Sequence, residues 1–180
     1  MRKYYPSKTL RNFSLYVSIN IPREDIKDLD STLLEVQRQL REKNTKDNLD
    51  ELLKYTSIVL LDIKHIDDEE HKKLTKHSNK NILAFAKYLS DIKKPMWVRH
   101  VVVPGITFKE EYLTRLGVFL AGLHNIAALD VLPYHDMAVP KYENLGIEYP
   151  LKGVPPLSHE QAMEARNIIM KAYKAKKEEV

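Results

Sequence analysis

A chain of 180 residues suits one domain with a sizeable core, and 43% hydrophobic with 30% charged residues is ordinary for a globular protein. The basic excess is small, 29 residues against 25, and no basic stripe with interleaved aromatics points to nucleic acid. Cysteine is absent, which excludes disulfides, thiolate zinc sites, a cysteine nucleophile and a cysteine-ligated iron–sulfur cluster within these residues. There is neither an apolar run long enough to span a membrane nor a signal-like N-terminus, so the expectation is a cytoplasmic protein.

Residues 1–12 are polar and basic without a period, which predicts a poorly ordered arm. Phe13–Ile21 (FSLYVSINI) alternates apolar and polar, the pattern of a strand with one wet face, and Pro22 ends it. Leu29, Leu33, Val36 and Leu40 recur at helical spacing and predict an amphipathic helix over 30–43. The polar break at 44–46 is the expected boundary between an atypical N-terminal segment, 1–45, and the remainder, 46–180.

From there the pattern is regular. Asp47 is placed to cap a short helix reaching Tyr55, and Ser57–Lys64 (SIVLLDIK) reads as a strand. A small helix, Asp68–Leu74, opens with acids and closes with lysines, which suits the helix dipole. Asn79 is expected to cap a helix with Ile82, Phe85, Ala86 and Leu89 on one face, stopped by Pro95. A strand over 96–103 follows, then a helix over 109–124 expected to bury Tyr112, Leu116, Phe119 and Leu123, then a strand over 128–133. Residues 136–156 read as a long Pro- and Gly-bearing loop, and Ser158 with Gln161 forms a capping box for a last helix. Alternating strands and helices predict a parallel α/β sheet.

The run PMWVRHVVVPG (95–105) is apolar on both faces apart from one cation, Arg99, which needs an anionic partner if it is covered. Asp62 and Lys64, two apart, face the same way at the end of the 57–64 strand, and His135 follows the 128–133 strand. These residues serve either as a site at the strand ends or as packing devices. Asp62 and Lys64 could form a rim ion pair, Arg99 could pair internally with Asp62 or Asp130, and His135 could cap the sheet edge. His65, His71 and His77 are evenly spaced but span three kinds of element, which reads as solvated surface rather than a metal site. Gly105 reads as a turn, and Gly117 and Gly122 as sites of close helix packing.

SIVLLDIKHID, HSNKNILAFAKYLS, MWVRHVVVPGIT, LDVLPYH and KYENLGIEYPLKGVPP, in this order over roughly 46–171, resemble the C-terminal part of the glycyl-radical-enzyme activating enzymes. These are radical S-adenosylmethionine enzymes that serve partners such as pyruvate formate-lyase. The resemblance implies an incomplete β/α barrel, S-adenosylmethionine as cosubstrate, and a 4Fe–4S cluster held by a CxxxCxxC loop. Carried over by position, it implies that Asp62 and the backbone carbonyl of Leu60 bind a monovalent cation. It further implies that Lys64, Arg99 and Val101 meet S-adenosylmethionine, and that His135 lies near its adenosyl group.

The chain departs from that pattern where the redox chemistry resides. It has no CxxxCxxC, no Gly-Gly-Glu strand and no Asp-Thr-x-Gly turn, and residues 1–45 do not resemble the family's first half. The expectation is a truncated, rearranged or split activase, inactive by itself unless a complementary chain supplies the cluster. The alternatives are a non-catalytic module that docks a glycyl-radical enzyme, and a fragment without function.

Overall fold

The structure, a computed structural model, describes residues 15–18 and 46–179. The expected arm over 1–12 and the helix over 30–43 lie outside these residues. The described elements are β1 (Leu15–Ser18), α1 (Lys46–Lys54), β2 (Ile58–Asp62), α2 (Asp68–Thr75) and α3 (Lys80–Asp91), followed by β3 (Met96–Val102), α4 (Glu110–Ala121), β4 (Ile126–Pro133), α5 (Val139–Asn144) and α6 (His159–Glu178).

The strands form one open sheet in the order β1-β2-β3-β4. β2, β3 and β4 are parallel, as the alternating sequence predicts, whereas β1 joins the edge of β2 antiparallel, with Leu15 opposite Leu61 and Ser18 opposite Ile58. Alternation along the parallel strands gives the sheet two unlike faces. Val59, Leu61, Ile63, Val98 and Val102 are almost fully buried and share one core with Ile82, Ala86 and Leu89 of α3, Leu113, Leu116 and Leu120 of α4, and Ala162, Ala165 and Ile169 of α6. Each buried Val, Leu or Ile among them contributes roughly 1.5–3 kcal/mol by leaving water. Of the expected stripe of α4, Leu116 and Leu123, just beyond its end, are buried, but Leu113 and Leu120 take the places expected of Tyr112 and Phe119. Leu113, Leu116 and Leu120 are central, while Tyr112 and Phe119 flank them, half-buried.

Gly117 lets α4 and α6 approach. A Cβ at this position would lie 2.3 Å from the carbonyl oxygen of Ile169 and 2.9 Å from the Cβ of Ala172. The capping box at α6 forms as expected, with Gln161 N donating to Ser158 Oγ and Ser158 N donating to Gln161 Oε1. Two other caps differ. Asp47 lies inside α1, which begins at Lys46. Asn79 precedes α3 but turns its amide away, and Nδ2 donates to the carbonyls of His65 (3.1 Å) and Ile66 (2.8 Å). The cap that forms nearby is Asp67, whose carboxylate accepts from the N–H groups of Glu69 and Glu70 at the start of α2. The loop after β4 also carries an unforeseen short helix, α5, with Pro140 in its first turn, where a missing N–H costs nothing. No described helix is long and apolar enough to cross a membrane.

Candidate functional site

The second face of the sheet carries the polar residues. Asp62, Arg99 and Asp130 are in register across β2, β3 and β4, so three charged residues stand in one row. A register shift between Met96 and Trp97 makes this row. Met96 pairs with Ile126 but Trp97 with Ala128, and the extra residue brings Asp130 rather than Leu129 beside Arg99. Leu60, Trp97 and Ala128 form the row below, and Val101 and Leu132 the row above. Apart from Asp62, these residues keep some exposure to solvent, 39% for Trp97.

Asp62 is the centre of the charges. It is 8% exposed, and its two oxygens are divided between two cations. Arg99 Nε donates to Oδ1 at 2.7 Å and Lys64 Nζ donates to Oδ2 at 3.0 Å. The side chains of Arg99 and Lys64 are 23% and 36% exposed, so both reach the surface from the same carboxylate. A pair this accessible contributes little to stability. It does hold two donors of different geometry, a planar fork from the middle of β3 and a point charge just beyond the end of β2.

His135 stands apart from that triad. It is exposed beyond the end of β4 and has no hydrogen bond to a described residue. The structure therefore joins Asp62, Lys64 and Arg99 directly, sets Val101 on the same face, and leaves His135 on the neighbouring strand end. Leu60 lies on that face too, two residues before Asp62.

Sequence reasoning missed the scaffold behind this rim. His65 and His71 are 1% and 2% exposed, so the solvated-surface reading of the evenly spaced histidines fails for both; only His77 is exposed. His65 Nδ1 accepts from Asp67 N at 3.0 Å, and its ring meets the Tyr112 ring edge-on at 4.5 Å. Burial lowers the pKa of both histidines. His100, on the core face, has Nδ1 2.7 Å from the Ile63 carbonyl, and burial pushes it down to about 4. These rings are neutral packing elements under the strand ends, and among the described residues no group of three acidic, histidine or cysteine side chains could hold a metal. Thr107 closes the turn after β3, accepting from Val103 N at 2.7 Å and donating to the Val101 carbonyl at 3.0 Å. Gly105 takes the positive φ of 72° this turn requires. None of these side chains has a short-range signal; each is defined by what folds against it.

The donor set decides which groups fit. A carboxylate-bearing cosubstrate suits Arg99 and Lys64, with Val101 as an apolar neighbour. A 4Fe–4S cluster does not suit these 180 residues, which offer no thiolate.

Fold and site together define an open α/β sheet with three parallel strands, flanking helices and a charged row that begins at the C-terminal end of β2 and crosses the middle of β3 and β4. Strand C-terminal ends are where β/α-barrel proteins carry their chemistry. A solved domain of a pyruvate-formate lyase-activating enzyme from Bacteroides vulgatus shares the fold, with a TM-score of 0.58 over 71% of this chain and 70% of that one at 21% identity. No protein-family model matches the chain. Over its C-terminal two-thirds, the chain is a homologue of pyruvate formate-lyase-activating enzymes. It is 50% identical over 118 residues to that of Staphylococcus epidermidis, covering 66% of this chain and 47% of the relative. It is 48% identical over 120 residues to that of Streptococcus mutans, covering 67% and 46%. The chain thus spans about half the length of these relatives.

Proposed function

We propose that residues 46–180 are the cosubstrate- and partner-facing part of a glycyl-radical-enzyme activating enzyme of the radical S-adenosylmethionine type. Residues 1–45, whose strand β1 joins the edge of β2, are an N-terminal segment that does not resemble that family. The observation that carries the reading is the Arg99–Asp62–Lys64 triad, formed where β2 ends beside the middle of β3. Arg99 and Lys64 take the carboxylate of S-adenosylmethionine, Val101 lies against the bound molecule, and His135 stands near its adenosyl group. Asp62, with the Leu60 carbonyl, takes a monovalent cation. Because Asp62 holds both cationic side chains, carboxylate binding and cation binding are one exchange: each opens the same ion pairs.

When bound, S-adenosylmethionine supplies a sulfonium whose reductive cleavage gives a deoxyadenosyl radical. These residues hold and orient it but carry no ligands for the cluster that delivers the electron. The chain by itself is therefore inactive, and a complementary cluster-bearing chain would have to complete it before a glycyl-radical enzyme such as pyruvate formate-lyase could be activated. The test is calorimetric titration with S-adenosylmethionine in potassium buffer, alongside an assay of iron and of deoxyadenosine formation. Measurable binding that weakens at least ~10-fold in Arg99→Ala, without iron or cleavage, is expected from the loss of a charge-assisted contact. Absence of binding overturns the cosubstrate site, and iron-dependent cleavage by this chain overturns its inactivity.

A second reading, a non-catalytic module docking a glycyl-radical enzyme, is favoured by the loop after β4. Met137, Leu145 and Ile147 are 73%, 61% and 55% exposed there, apolar surface suited to a protein partner.

A further inference from the structure

The loop that begins at His135 is long, yet it is tied to one residue by three separate contacts. Tyr134, the last residue before it, is 5% exposed. Its backbone N–H donates to the Val102 carbonyl of β3 at 3.0 Å, and its carbonyl accepts from Leu157 N at 2.9 Å, where the loop ends. Its hydroxyl lies 3.0 Å from that of Tyr149, in the interior of the loop. The Tyr149 ring in turn meets the Tyr142 ring of α5 edge-on at 5.0 Å. The entry, the interior and the exit of the loop thus converge on Tyr134, while the adjacent side chain, His135, is exposed.

From this arrangement we propose that the Tyr134–Tyr149 hydroxyl pair is a positioning device that fixes the loop over 136–157 and, with it, the orientation of His135 at the strand ends; the link to ligand binding rests on the function proposed above. A loop of this length has many conformations, and one buried tether in its interior removes most of them. Two rigid aromatic rings do this at low cost in side-chain entropy, having two rotatable bonds each. Burial, then the Tyr134 hydroxyl and the charge of Asp136, raise the pKa of Tyr149 to about 12, so the Tyr149 hydroxyl keeps its proton through the ordinary pH range.

The test compares Tyr149→Phe, Tyr134→Phe and the double variant with the intact chain, each at matched melting temperature. Tyr149 is half-buried, so Tyr149→Phe retains the fold and decides the matter if the Tyr134 variants do not fold. Trypsin cleavage after Lys141 and Lys152, both exposed in the loop, should accelerate about fivefold, the scale of one hydrogen bond's net contribution. The His135 ring resonances, assigned with His135→Gln, should shift. S-adenosylmethionine affinity should fall about fivefold in either single variant and no further in the double one, because both delete the same bond. Cleavage rates and His135 resonances like those of the intact chain would overturn the proposal, and so would a loosened loop with unaltered affinity. Failure of the intact chain to bind S-adenosylmethionine overturns the function proposed above instead, and the cleavage and resonance data still decide the positioning role.

Discussion

The two faces of the sheet are made by alternate residues of the same three strands, yet they obey different rules. On one, Val59, Leu61, Ile63, Val98 and Val102 pack under α3, α4 and α6, and the polar group admitted there, His100, is held neutral with its Nδ1 on a backbone carbonyl. On the other, Asp62, Arg99 and Asp130 form a charged row with partial access to water. One face gains its free energy from area removed from water and tolerates almost no change of volume. The other contributes little to stability and keeps its cationic side chains in partial contact with water. The lesson is that a charged strand residue can be placed by the same alternation that builds the core, at no cost to that core.

The comparison is broken most strongly by acid. An unfolded histidine takes its proton near pH 6.5, whereas folded His100 resists until about 4. Unfolding therefore binds a proton between these values. The stabilisation is complete above pH 6.5, is lost as pH falls towards 4, and amounts to roughly 3 kcal/mol. Lowered His65 and His71 act in the same direction. Urea denaturation at pH 7 and pH 4 should show the loss, and His100→Asn should flatten it; a loss of equal size in that variant would place its origin on other groups.

Packing on the helix-covered side comes next. In Gly117→Ala the new Cβ meets the Ile169 carbonyl oxygen, a backbone atom that cannot rotate away. The variant should lose roughly 2–3 kcal/mol in denaturant unfolding. A loss under ~0.5 kcal/mol would mean that α6 slides freely on α4, which a close-packed interface does not permit.

The smallest effect sharpens the contrast from the charged side. Asp62→Asn leaves an amide oxygen that still accepts from Arg99 Nε, and both cationic side chains reach water. Its stability should change by less than about 1 kcal/mol. A much larger loss would mean that the triad is part of the core.

Much of this was legible in the chain itself. Alternation and β-rich runs gave the three parallel strands, and the two-residue spacing of Asp62 and Lys64 gave their common direction. The pairing of Arg99 with Asp62 was one of the readings left open. Features fixed by contacts distant in sequence were not legible. The Met96/Trp97 register shift is invisible because each strand reads normally alone. Asn79 has a capping residue's identity and position, but two carbonyls in the connection between β2 and α2 compete successfully for its amide. His65 and His71 looked polar and regular, and only the packing of α2 and Tyr112 shows that they are inside.

The antiparallel β1 has a kinetic consequence. Its backbone occupies the outer hydrogen-bonding edge of β2, so another strand can extend the parallel sheet on that side only after these four residues peel away. Assembly there is strand exchange rather than simple docking. Its rate would level off at high partner concentration, at the speed with which β1 detaches.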